Sequence, residues 1–115
     1  MATKKSNLFL GRWRITGMNE WDQDYVDLVV PGFIEFDERN SGEFQFGTVR
    51  GFLDCRLEND RGKKRMEFSW QGENDTDPGY GRGWATVEGN EMIGHIFIHM
   101  SDDSEFLAIR SKQFK

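Results

Sequence analysis

The feature that most constrains this chain is a two-residue alternation of apolar and polar side chains, broken at short intervals by Gly, Asn and Asp. Successive side chains of an extended segment point to opposite sides, so the alternation gives each segment one dry face and one wet face. Short breaks rich in turn-forming residues join such segments as hairpins. A parallel α/β sheet would need amphipathic crossover helices between its strands, and no such rhythm is present.

The pattern predicts strands over residues 9–16, 32–37, 43–48, 51–58, 64–71, 81–88, 91–100 and 105–111. Their shared dry face holds Ile34 and Phe36, Phe44 and Phe46, then Leu53, Cys55 and Leu57, then Met66, Phe68 and Trp70. Glu35, Gln45, Asp54, Arg56, Glu67 and Ser69 point the other way. Gly89-Asn90 between two alternating runs is a two-residue hairpin signal, and Asn40-Ser41-Gly42 and 59–62 suit longer loops. Between Phe46 and Leu53 the apolar positions switch from even to odd numbers, which requires a turn or a bulge in 47–51. A turn, the preferred option, gives eight strands, and a bulge gives about seven.

Residues 17–31 break the alternation. Met18, Trp21, Tyr25 and Leu28 fall at helical spacing, which predicts a short amphipathic helix ending before Pro31 and serving as a lid over one mouth or side. Residues 73–80 contain Asp-Thr-Asp-Pro-Gly and no apolar anchor before Tyr80, which predicts a mobile polar loop. The expected architecture is an all-β antiparallel meander closing into a small up-and-down barrel, with one short helix between the first two strands.

At 115 residues the chain makes one domain, 1–115, with 1–7 as a polar tail. Only 37% of residues are hydrophobic, so 10 Phe and 4 Trp must supply most of the burial. A net charge of −5 with scattered Lys and Arg argues against a nucleic-acid partner, because tracking phosphates needs clustered cations. The single cysteine, Cys55, permits no intrachain disulfide and reads as a small core hydrophobe. No apolar run approaches membrane-spanning length and the N-terminus is polar, so the expected setting is the cytoplasm, without membrane association.

The chemistry-bearing residues form no recognised constellation, and no cofactor or metal is expected. His95 and His99 lie roughly 13 Å apart if extended, too far to share a metal. Asp75 and Asp77 begin like a calcium loop, yet its sixth and twelfth positions hold Tyr80 and Thr86. Asp22-Gln23-Asp24 offers no third ligand, and Asp102 and Asp103 read as turn makers. Tyr80-Gly81-Arg82-Gly83-Trp84 enters a strand rather than a helix, so its glycines are expected to relieve crowding beside Trp84. Asp54 and Glu67 are expected to share a face, which leaves a carboxylate and His99 at the barrel mouth as the enzyme alternative.

The seventh strand is apolar on both sides, with Ile96, Ile98 and Met100 on one face and Ile93 and Phe97 on the other. Residues 18–28 together with Trp84 of the adjoining strand, or a second subunit, should cover its outer side. If the helix leaves that side open, a homodimer is expected.

Gly11-Arg12-Trp13 on the first strand, with Arg110 on the last, resembles the signature of calycin-type barrels such as lipocalins. Closure would bring those strands together, so that the guanidinium stacks on the indole and seals one end. Over most of its length the chain also resembles a family of small uncharacterised bacterial proteins. That resemblance is carried by Trp21-Asp22-Gln23-Asp24, Phe33-Ile34-Glu35-Phe36, Gly42-Glu43-Phe44-Gln45-Phe46-Gly47 and Asp102-Asp103-Ser104. It implies no activity. The functional expectation is a non-enzymatic binding module. A small apolar or aromatic ligand would use Trp13, Phe44, Phe46, Phe68 and Trp70, and a protein partner would use Trp84, His95, Phe97 and His99. An eight-stranded interior is only just wide enough for its own side chains, which weighs against the ligand option.

Overall fold

A computed structural model describes residues 8–111; residues 1–7, the expected polar tail, lie outside the described residues. The chain runs β1 Gly11–Met18, α1 Gln23–Val26, β2 Phe33–Phe36, β3 Ser41–Phe46, β4 Val49–Asp60, β5 Lys63–Asn74, β6 Asp77–Glu88, β7 Glu91–Ile98 and β8 Asp103–Arg110. Each strand pairs antiparallel with the next, and β8 returns to β1, closing an eight-stranded barrel compatible with a calycin-like fold. The switch of apolar parity is a hairpin. Phe46 pairs with Val49, and Gly47 takes φ 58 between them, a conformation that glycine adopts without steric cost.

The interior is built by pairing large side chains with glycines on neighbouring strands. Phe68 lies opposite Gly83, Trp70 opposite Gly81, and Phe106 opposite Gly94. A Cβ on Gly83 would stand 2.5 Å from the Phe68 ring, and one on Gly81 would stand 1.8 Å from the Phe97 carbonyl oxygen. These glycines therefore accommodate inward-facing rings and close strand approach. The expected crowding beside Trp84 is not the cause, since Trp84 points outward from the same strand.

Both ends are closed. At one end the Arg110 guanidinium carbon sits 4.2 Å from the Trp13 ring centre, and Arg110 Nη1 and Nη2 donate to the Leu10 and Leu8 carbonyls. Trp13 Nε1 donates to the Phe9 carbonyl at 2.9 Å, which leaves the fully buried indole with its donor satisfied. This is the seal expected of closed first and last strands. At the other end α1 packs over the β3–β4 turn.

That helix is a single turn, shorter than the 17–31 pattern suggests. Asp22 caps it by accepting from the Tyr25 amide at 3.0 Å. Val26, not Leu28, is its buried residue, and Leu28 is exposed. Two contacts end the helix early: the Val26 carbonyl accepts from Gly47, and Asp27 is drawn aside by Arg14, Gln23 and the Gly32 amide. The Arg14 guanidinium holds the Asp27 carboxyl down at about 2, with the Gly32 and Gln23 bonds lowering it further against an opposing burial effect.

Two further expectations change. Residues 73–80 form a tight hairpin at the ends of β5 and β6 rather than a loop. There both faces are wet, so the alternation that marks a strand disappears although the backbone ladder continues. Pro78 lies beyond the end of β7 and interrupts no ladder on that side. At the opposite ends of β4 and β5, residues 58–60 and 63–65 pair only with one another, and Leu57 beside them is 39% exposed rather than core. Among the described residues, no helix is long and apolar enough to cross a membrane.

Candidate functional site

The residues expected to bind an apolar ligand all lie inside. Trp13, Phe44, Phe46, Phe68 and Trp70 are buried. Phe44 stacks on Phe46 at 5.7 Å and meets Trp70 edge-on at 5.1 Å, while Trp21 contacts Phe46 at 4.9 Å. Phe68 stands 6.3 Å from Phe36. Trp70 Nε1 donates to the Phe97 carbonyl, so its one donor is already engaged. A ligand entering here would displace rings that touch one another. Cys55 lies among them, and burial, reinforced by Asp54 and Asp37, pushes its thiol up to about 12, which makes it a poor nucleophile.

The outer wall is different. Strand register places three outward rows across it. The first row is Asp54, Ser69, Arg82, Phe97 and Asp103. The second is Arg56, Glu67, Trp84, His95 and Glu105. The third is Phe52, Gln71 and Tyr80. β4, β5 and β6 have 12 residues each against 4 to 8 for the others, so this side of the barrel is the tallest. Ser69 carries the smallest side chain in the middle of the rows.

Three adjoining cavities therefore meet at Ser69. One of about 520 Å³ is walled by Asp54, Arg56, Arg65, Glu67, Arg82 and Trp84. A second of about 860 Å³ lies between Phe52 and Tyr80 over Gly72, Gly79 and Gly81. The third, of about 480 Å³, runs from Tyr80 and Arg82 past Phe97 to His99 and Met100. Together they form a groove open to solvent across the outer faces of β4 to β7.

Its rings are held by cations and histidines. Arg65 lies 4.3 Å from the Trp84 ring centre and Arg82 4.4 Å from that of Phe97. His95 stacks between them, 4.4 Å from Phe97 and 6.3 Å from Trp84, and Tyr80 stacks on His99 at 4.6 Å. His95 Nε2 donates to Asp103 Oδ2, which fixes the imidazole plane in the row. The outward half of β7 around Phe97 is thus covered by Arg82 and His95 rather than by residues 18–28. The half around Ile93 stays open, with Ile93, Leu107 and Ile109 near 50% exposed beside one another.

Of the residues expected to meet a partner, Trp84 and Phe97 line the groove, His99 walls its far end, and His95 supports the stack from behind. Alternation alone could not find Ser69, Arg82, Tyr80 or Phe52, because their importance lies in the register between neighbouring strands and not in the pattern along any one of them. Asp54 and Glu67 share the outer face as expected, with Glu67 Oε2 2.9 Å from Arg65 Nε. Asp75 sits in the β5–β6 turn with φ 62. Among the described residues, no group of three His, Cys, Asp or Glu is placed to hold a metal ion.

Comparison with protein-family models, with curated proteins and with solved structures finds no match.

Proposed function

We propose that this chain is a non-enzymatic binding module that takes a protein partner in the groove on its outer wall. The observation that carries this reading is the convergence of three cavities on Ser69 under rings already fixed by Arg65, Arg82 and His95. Aromatic side chains and arginines whose conformations are preset lose little entropy on binding, and such residues dominate binding energy at interfaces. The groove is open along its length, which suits a polypeptide surface better than an enclosed small molecule. Ser69→Trp fills the groove without touching the core, so the variant should keep its stability and, in chemical cross-linking in cell lysate, lose a protein partner that wild type captures. Equal retention by both proteins removes this reading.

A second reading rests on Ile93, Leu107 and Ile109, three neighbouring aliphatic side chains about half exposed. A second copy of the chain would cover them, although this patch alone is small against the roughly 800 Å² per partner of a standard stable interface. Such a dimer is weak and appears only at high concentration. Sedimentation equilibrium that fits a monomer throughout excludes it, and Ile93→Ser should shift any dimer toward monomer.

The Arg110–Trp13 seal supports kinship with calycin-type, lipocalin-like barrels. The single buried cysteine supports a reducing, cytoplasmic setting, and the resemblance to small bacterial proteins supports a bacterial origin.

A further inference from the structure

We infer that Met100 is a reversible oxidation site, the position at which a hydroperoxide modifies this chain ahead of its single cysteine. In the reaction the peroxide O–O bond breaks and one oxygen bonds to the Met100 sulfur. The sulfur gives up two electrons and becomes a sulfoxide, while the peroxide is reduced to water or an alcohol, with no further reactant. Met100 reacts in this way whatever occupies the outer groove.

Access to sulfur sets the order. Met100 is 92% exposed, more than any other large apolar side chain among the described residues. Met66 and Met92 are 1% and 0% exposed in the core, and Met18 is partly buried against it. A peroxide reaches the core methionines only when the wall opens locally, whereas it meets Met100 in the native state. A cysteine ordinarily competes best, because its thiolate is the stronger nucleophile. Cys55, however, is 2% exposed, and burial pushes its thiol up to about 12, so it stays protonated at neutral pH. The usual order of sulfur oxidation is thereby inverted.

The β7–β8 turn holds Met100 in the open. Ser101 N–H donates to the Ile98 carbonyl at 2.9 Å and Ile98 N–H to the Asp102 carbonyl at 3.0 Å, which closes the turn with Met100 at φ 57. Asn40 and Asp75 take the same left-handed backbone with short polar side chains of the kind that can bond locally. A thioether gains no such bond, so neither turn chemistry nor packing accounts for a methionine at this place. Its side chain borders the end of the outer groove beside His99 and Tyr80. Oxidation there turns an apolar surface polar and leaves the core untouched, and methionine sulfoxide reductases return it to the thioether.

Limited treatment of the folded protein with hydrogen peroxide, followed by peptide mapping in a mass spectrometer, tests this. The Met100 peptide should gain one oxygen ahead of Met18, and about tenfold or more faster than Met66, Met92 and Cys55. In urea Met18, Met66 and Met92 should catch up, while the Met100 rate should hardly change. Near-UV circular dichroism of the oxidised protein should match that of the untreated one, and the two sulfoxide reductases, one for each epimer, should together remove the oxygen. Met100→Leu should take up no oxygen at Met66, Met92 or Cys55 over the same period, which separates direct access from a general opening of the barrel. Oxidation that begins at Cys55, Met18, Met66 or Met92, or a Met100 rate that rises about tenfold in urea, overturns the site. Loss of the near-UV spectrum on oxidation of Met100 overturns its separation from the core, and a sulfoxide that resists both reductases overturns reversibility.

Discussion

The two sides of the same wall use aromatic side chains in opposite ways. Inside, Phe44, Phe46, Phe68 and Trp70 touch other rings, and all but Phe46 also sit over glycines, so their surface is consumed by the fold. Outside, Trp84, Phe97 and Tyr80 lie against arginine or histidine and stay partly exposed. Removing an inner ring leaves a void that close-packed neighbours cannot fill. Removing an outer ring leaves water. The difference shows why ring count alone says little about binding: on this barrel the environment of each ring decides whether it serves stability or contact.

The largest effect that would sharpen this contrast is Phe44→Ala. Phe44 is fully buried against Phe46 and Trp70, so urea denaturation should show a loss of about 3–5 kcal/mol. A loss below 1 kcal/mol, by the same scale, would mean the interior is loosely filled.

Next is Asp27→Asn, which probes the lid rather than either wall. The Asp27 carboxyl lies below its ordinary value of 3.8, at about 2. Its contribution is therefore full above pH 4 and is lost as pH falls through about 2. The asparagine variant should be less stable at neutral pH by at most about 2 kcal/mol, since the pair is partly solvated. The gap between wild type and variant should shrink from pH 4 toward pH 2; a gap that does not change with pH would show that Asp27 acts by shape alone.

Phe97→Ala should cost about 1 kcal/mol, because only half-buried stacking with Arg82 and His95 is lost. It should nevertheless abolish partner retention. The reverse result, large destabilisation with binding intact, would place Phe97 with the inner rings. Smallest is Arg82→Gln, expected to change stability in urea by less than about 0.5 kcal/mol, because Arg82 is exposed and loses only its stacking on Phe97.

Much of the barrel was legible because one face of each strand is dry. Ile34, Phe36, Phe44, Phe46, Leu53, Cys55, Met66, Phe68 and Trp70 announce themselves at every second position and are all buried. Legibility failed where that asymmetry failed. Residues 73–80 have water on both faces, Leu57 lies at the edge of the β4–β5 overhang, and α1 is too short for a helical stripe to mean much. Trp84 and Phe97 could be picked out as outward rings on apolar strands. The groove between them could not, since Ser69 differs from any other exposed serine only by what stands on β4 and β6.

The amino-acid sequence by itself determined the antiparallel meander, its inward-facing side chains and its hairpins, because side-chain alternation and turn chemistry act between near neighbours in the chain. Tertiary structure decided the closure of β1 on β8, the fit of glycines beneath rings, the early end of α1 and the meeting of three cavities at Ser69. Each of these depends on which residues of separate strands face one another, and alternation along a single strand does not fix that register.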